Sequence, residues 1–336
     1  MARSVEDQVV VLAGASTGIG RETALRFARR GSRVVLAARN RQALDTLAAE
    51  VERVGGVPLV VPTDVSDPDQ VADLAARAVE RFGRIDTWVN LAAVSTYATV
   101  EQLDVAEIRR VIEVNLLGQI YGMKAALPRM REAGGTIINV SSVLGRRAVA
   151  LQAAYSAAKH GILAFGEALR LELRHERVPV HVVDVLPSSI NTPIFEHARS
   201  KLGVAPKPIP PVYEPRIAAK AIVAAAERPV RQVYVGGAGR ALEFMQRISP
   251  SLADWYLLRV SRTFDNQRTD RPDDGRDNLD GPLPETGRVT GQFGQRSKST
   301  SLYTSLFGLH PARGRVATGI ALGGAAAAIR WLGRRR

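Results

Sequence analysis

Tyr155 stands four residues before Lys159 in AAYSAAKHG, residues 153–161. Four residues is about one helical turn, so in a helix the phenol and the amine share a face. An ammonium group beside a phenol favours phenolate and lowers a pKa whose ordinary value is about 10. The pair therefore suits proton transfer, although Tyr and Lys at this spacing also occur as plain surface residues. The rest of the chain has to separate the two readings.

A second candidate is GASTGIG, with Gly14, Ser16, Thr17, Gly18, Ile19 and Gly20 following the apolar run QVVVLA at 8–13. Glycine permits a tight turn and close backbone approach, and a helix opening there would offer free N–H groups to a pyrophosphate. The next apolar run ends LAARN. A carboxylate at that end would bond the ribose 2′-hydroxyl of NAD, whereas an arginine accommodates the 2′-phosphate of NADP. Ala38 has no carboxylate and Arg39 carries a guanidinium, so the expected coenzyme is NADP(H). The bland alternative is a solvated surface arginine.

The elements needed to position these groups recur along the chain. Strands are predicted at 8–13, 33–38, 58–62, 85–90, 136–141, 179–186 and 232–237, with helical patterns over 19–30, 41–54, 67–82, 104–130 and from the Tyr-Lys stretch to about 177. Strands that are nearly continuous apolar runs, separated by helices, imply a parallel sheet covered on both faces. The fold class is thus α/β, a doubly wound, Rossmann-like, seven-stranded parallel sheet over residues 1–240, with a C-terminal extension. Residues 241–264 read as two short helices, the second starting at Pro250 with Ser249 as its cap. Residues 265–314, rich in Asp, Gly, Pro, Ser and Thr, read as a mostly disordered linker.

Composition narrows the function classes. The 336 residues are 46% hydrophobic, enough for a full core, and contain no cysteine. Disulfides, thiolate metal sites and a cysteine nucleophile are excluded, and a cytoplasmic, reducing setting is suited. The five histidines, at 160, 175, 181, 197 and 310, show no paired ligand spacing, so no metal is expected. Net charge is +13, but no Asp or Glu follows Thr286, so the excess is partly a property of the tail. A basic face with interleaved aromatics is missing, which argues against nucleic acid. No secretory signal is evident at the N-terminus.

The ordered series of motifs resembles the short-chain dehydrogenase/reductase family over about residues 5–240. Gly14-x3-Gly18-x-Gly20 is similar to that family's cofactor loop. TDVSD resembles its adenine contact, carried by Asp64 and Val65, and NLAA at 90–93 stands where the family has Asn-Asn-Ala-Gly, giving Asn90 and Ala92. The resemblance implies a catalytic set of Asn115, Ser142 (rather than Ser141), Tyr155 and Lys159. LPSSINTP resembles the stretch that grips the nicotinamide, with Pro187, Ile190 and Thr192 as contacts. It further implies carbonyl–secondary alcohol interconversion. In that scheme Tyr155 exchanges the proton, Lys159 lowers its pKa and binds the nicotinamide ribose, Ser142 bonds the reacting oxygen, and Asn115 holds a water that refills the proton. A homodimer or homotetramer through the Tyr155 helix is also implied. Ala13, Leu91, Ala93 and Ser188 depart from the family pattern without removing a reacting group. The competing readings are a catalytically idle dinucleotide sensor or scaffold acting through its tail, and an epimerase or dehydratase of the related extended family, against which the glycine spacing counts.

A substrate lid is expected between Asn191 and Arg216. There Ile194, Phe195, Val204, Ile209 and Val212 would either face a bulky hydrophobic substrate or pack the lid onto the body. The last apolar run, 316–329, is flanked by arginines and has 14 residues, against about 20 for a spanning helix. Spanning, lying on an anionic membrane surface, and soluble packing or disorder all stay open for it.

Overall fold

The structure, a computed structural model, describes residues 3–284 and 287–309. His310 and the apolar run at 316–329 lie outside the described residues.

Seven strands form one parallel sheet: β1 (Val9–Ala13), β2 (Arg33–Ala38), β3 (Val57–Pro62), β4 (Thr87–Asn90), β5 (Gly135–Val140), β6 (Val180–Pro187) and β7 (Gln232–Val235). Each predicted strand is present, with ends shifted by at most two residues. Their order across the sheet is β7-β6-β5-β4-β1-β2-β3, all pairs parallel. Every residue of β1 is buried, which is why its sequence is an unbroken apolar run rather than an alternating one. The order reverses between β1 and β4, and such a switch point opens a crevice beyond the carboxyl ends of the strands.

Helices α1 (Gly18–Ala28), α2 (Arg41–Arg53) and α7 (Pro215–Glu227) cover one face through Phe27, Leu44, Leu47 and Ile222. The other face carries α3 (Pro68–Phe82), α4 (Val105–Ile112), α5 (Gly118–Met130) and α6 (Ala153–His175) through Leu74, Val111, Met123 and Ile162. Local signals set the ends. Asp67 accepts from the amides of Asp69 and Gln70 ahead of α3, and Gly83 closes that helix at φ +79°. Between α4 and α5 the helix continues through a π turn, Glu113–Leu117. Beyond the sheet, α8 (Gly237–Ile248) leads into α9 (Pro250–Trp255), whose cap is Ser249, its hydroxyl accepting from the Leu252 amide at 3.2 Å.

The segment read as a disordered linker is different in its described part. Residues 265–284 and 287–309 lie along the body, held by main-chain pairing and a few buried side chains. Arg268–Pro272 pairs antiparallel with Val204–Pro206, and Ser297–Lys298 pairs with Val212–Tyr213. The Gln267 side chain is fully buried and donates to the carbonyls of Ala150 (3.0 Å) and Thr263 (2.8 Å). Thr304 accepts from the Gly236 amide at 2.9 Å. Composition misleads here because backbone hydrogen bonds leave no trace in it. Among the described residues no helix is long and apolar enough to cross a membrane.

Candidate active site

At the carboxyl ends of β1 and β4 the chain must turn sharply and leave room. Gly14 (φ +107°) and Gly18 (φ +58°) supply backbone angles that side chains resist. A Cβ on Gly14 would fall 2.3 Å from the Ala92 nitrogen, and one on Gly20 would fall 2.0 Å from the Gly14 carbonyl oxygen. The loop therefore lies flat against the start of the β4 loop and delivers the α1 N-terminus to the crevice. Gly20→Ala is expected to lower stability by about 1–3 kcal/mol, as overpacking against fixed backbone does. Urea unfolding checks it, and an unchanged midpoint would refute the cradle.

The crevice holds a cavity of about 290 Å³ whose wall includes Gly14, Ser16, Thr17, Gly18, Ile19, Gly20, Arg39, Asp64, Val65, Ala92, Pro187, Ile190 and Thr192. Ser142, Tyr155 and Lys159 line it too. The sequence-picked residues that do not are Asn90 and Asn115. Asn90 is buried behind the wall, accepting from the Trp88 indole (2.8 Å) and donating to the Gln119 carbonyl (3.2 Å) and Asn139 (2.9 Å). Its side chain braces β4 against β5 and α5 instead of reaching the crevice. Asn115, fully buried in the π turn, accepts from the Val94 amide and donates to the Val94 carbonyl, both at 2.8 Å. Its amide fastens the loop after β4.

Two of the lining residues already have partners within the chain. Arg39 is not a solvated residue: it donates to the carbonyls of Asn278 (2.5 Å) and Leu279 (3.5 Å) from the C-terminal segment. Asp64 pairs with Arg110 at 2.8 Å and accepts from the amide and hydroxyl of Ser66. Burial alone would raise the Asp64 carboxyl, but these hydrogen bonds outweigh it and hold the group below the ordinary carboxylate value.

On α6, Tyr155 and Lys159 do share a face, with the amine 5.4 Å from the ring centroid. The expected depression of the phenol is absent among the protein's own groups. Burial pushes Tyr155 up to about 12, opposed by a hydrogen bond with Ser142, and burial pushes Lys159 down to about 7. The Lys159 amine donates to the Val140 carbonyl at 2.9 Å, and a buried ammonium with a single neutral partner is poorly solvated. Ser142 lines the cavity with Tyr155, its hydroxyl accepting from the Leu144 amide at 3.1 Å, whereas the Ser141 hydroxyl donates to the Lys159 carbonyl at 3.0 Å and serves the helix.

Sequence reasoning missed several wall residues: Ser95, Tyr97, Gln152 and His197, along with Pro282 and Leu283 of the C-terminal segment. Tyr97 lies in the two-residue strand Thr96–Tyr97 and His197 ends the short helix Ile194–His197, the others come from irregular chain, and none carries a spacing signal. Burial pushes the Tyr97 phenol above its ordinary value, and Tyr155 adds to the rise. Of the lid residues, Ile194, Phe195 and Ile209 line the cavity; Val204 and Val212 sit in short strands that pair with the C-terminal segment. Ser188 donates to the Gly236 carbonyl at 3.3 Å and ties the ends of β6 and β7 together.

Known proteins resemble this chain in sequence and in fold. The sequence profile of the short chain dehydrogenase family matches residues 8–203. An uncharacterized oxidoreductase of Bacillus subtilis, YxnA, is 37% identical over 82% of this chain and 78% of its own. A trans-4-hydroxycyclohexanecarboxylate dehydrogenase from Sinomonas cyclohexanicum is 36% identical over 60% of this chain and 80% of its own. Among solved structures, an alcohol dehydrogenase from the archaeon Thermococcus sibiricus, complexed with 5-hydroxy-NADP, is 26% identical with a TM-score of 0.61, covering 68% of this chain and 95% of that one. The family match over more than half of its length and the similarity to these oxidoreductases show that the chain belongs to the short-chain dehydrogenases, oxidoreductases acting between alcohol and carbonyl.

Proposed function

We propose that the protein is an NADP(H)-dependent oxidoreductase that interconverts a ketone and a secondary alcohol on a largely apolar substrate. The observation that carries this reading is one cavity lined both by the glycine cradle and by the Ser142, Tyr155 and Lys159 side chains. The residues fit a dinucleotide: Gly14 and Gly20 leave space that a Cβ would fill, and the amides opening α1 suit a phosphate. When bound, the nicotinamide supplies the two-electron acceptor or donor.

The chain's own groups do the rest. Tyr155, protonated at neutral pH, gives its proton to the carbonyl oxygen of a ketone or takes it back from an alcohol. Ser142 donates a hydrogen bond to the same oxygen as charge builds on it. Lys159, one turn on, supplies a movable proton near neutral pH and would hold the nicotinamide ribose hydroxyls of a bound dinucleotide. Asn115 shapes this end of the cavity by fixing Val94. Ile194, Phe195 and Ile209 favour an apolar substrate body, while Tyr97, Gln152 and His197 provide polar groups for orienting it.

The test is a panel of ketones and secondary alcohols followed by nicotinamide fluorescence, with NADPH and NADH in parallel. Turnover with either would support the reaction; turnover with neither, despite dinucleotide binding, would favour the idle sensor. Arg39 carries the coenzyme choice, through its fork of N–H donors for a 2′-phosphate. Arg39→Ala is expected to weaken NADPH binding by at least about tenfold, as loss of a charged hydrogen bond does, and NADH binding by less than about twofold. Equal losses in a titration of the two would remove Arg39 from that role.

A further inference from the structure

Residues 277–283 and 287–293 lie outside the part of the chain that the family profile matches; Asn278, Pro282 and Leu283 line the crevice, and Gly287 and Gly291 lie against the wall residues Ser16 and Thr192. One half is anchored by Asp277 and Asp280 on Arg199, at 2.9 and 2.8 Å, and by the Asn278 amide on the His197 carbonyl at 2.9 Å. Leu279 is buried to 1% exposure among side chains of the α3–α6 face. The other half is anchored by an Arg288–Glu196 ion pair and by the Phe293 amide on Asn191 at 3.0 Å. The Phe293 ring also meets Phe195 edge-on, centroids 6.0 Å apart.

What this segment turns toward the crevice is a row of main-chain carbonyls. The Arg288 carbonyl accepts from the Gly18 amide at 2.9 Å, the first N–H of α1. The Asn278 and Leu279 carbonyls accept from Arg39, and the Leu283 carbonyl accepts from the Asn40 side chain at 2.7 Å. These are donors aimed at anions: a helix N-terminus, and a guanidinium at the end of β2. The Gly18 N–H makes one bond, so a phosphate oxygen can take it only after Arg288 lets go. The Arg39 contact discriminates further. A 2′-hydroxyl can donate to a carbonyl oxygen, whereas a 2′-phosphate, which only accepts, is repelled by it.

We propose that this segment is a coenzyme-selecting strap. It competes with any dinucleotide for Gly18 and, through the Asn278 and Leu279 carbonyls on Arg39, holds back a 2′-phosphorylated dinucleotide more than one with a free 2′-hydroxyl. The inference rests on the dinucleotide reading of the crevice given above.

The test uses the full chain and loosens the anchors, leaving the crevice wall intact. Neither Asp277 nor Arg288 lines the cavity. The double variant Asp277→Ala/Arg288→Ala is expected to bind NADPH about tenfold more tightly, the worth of one charged hydrogen bond regained, and NADH only about threefold more tightly. Arg288→Ala alone removes a cation, which by charge would weaken an anionic ligand, so tighter binding by that variant must come from freed donors. In the unaltered protein, saturating NADPH should speed hydrogen exchange at Gly291 and Phe293, whose amides bond the Asn191 carbonyl and side chain. Unchanged or weaker binding by the double variant, equal factors for the two dinucleotides, or protection of those amides would each overturn the strap. Binding of NADPH by the unaltered protein in such a case leaves the proposed function standing. Failure of both dinucleotides to bind either protein would overturn both.

Discussion

Tyr155→Phe is expected to lower turnover of a good substrate by about 10²–10⁴-fold, the usual worth of a positioned acid–base group. The ring stays, so the packing of α6 against the cavity is kept and dinucleotide affinity should change by less than about twofold, well under 1 kcal/mol. What is lost is the Tyr155 hydroxyl, on a side chain that lines the cavity together with Ser142 and Lys159. Steady-state kinetics beside a dinucleotide titration check it. Full turnover by the phenylalanine variant would remove Tyr155 from the chemistry.

Lys159→Met should be nearly as damaging to turnover, and its stability signature is more unusual. Burial lowers the Lys159 amine from 10.5 to about 7. Between those values the unfolded chain holds a proton that the folded chain has released, so this group's contribution to stability rises with pH through that window. Below about pH 7 the folded protein must carry a buried ammonium, a penalty on the order of 5 kcal/mol relative to water. Methionine fills the site without charge. The variant should therefore melt above the unaltered protein by roughly 5–10 °C at pH 6, and the gap should narrow steadily toward pH 10. Melting curves across that range, without added dinucleotide, decide it. A gap that stays constant with pH would mean Lys159 does not titrate as described.

The sheet was legible because its central strands are buried on both faces and so announce themselves as unbroken apolar runs, as in Val9–Ala13. Gly14 and Gly20 were legible because only glycine fits where a Cβ would strike backbone. The tyrosine and lysine were legible from helical spacing. Other features escaped for physical reasons. An amide side chain looks the same whether it faces a cavity or main chain, so Asn90 and Asn115 could not be assigned to the wall or to the brace behind it. The phenol's pKa depends on how completely the groups are removed from water, which spacing does not report. The strap escaped altogether, since its grip on Arg39 and Gly18 is through carbonyls that every residue possesses. Leu279 and Phe293, its apolar anchors, are too few to make a periodic signal.

The π turn at Glu113–Leu117 has a consequence for how this chain can vary. One surplus residue wound into a helix offsets everything beyond it by about 100° around the axis. Excising a single residue there would restore even winding, yet it would swing α4 out of phase with α5 and carry the Asn115 amide away from Val94. That stretch should accept exchanges of side chain far more readily than any change in its length.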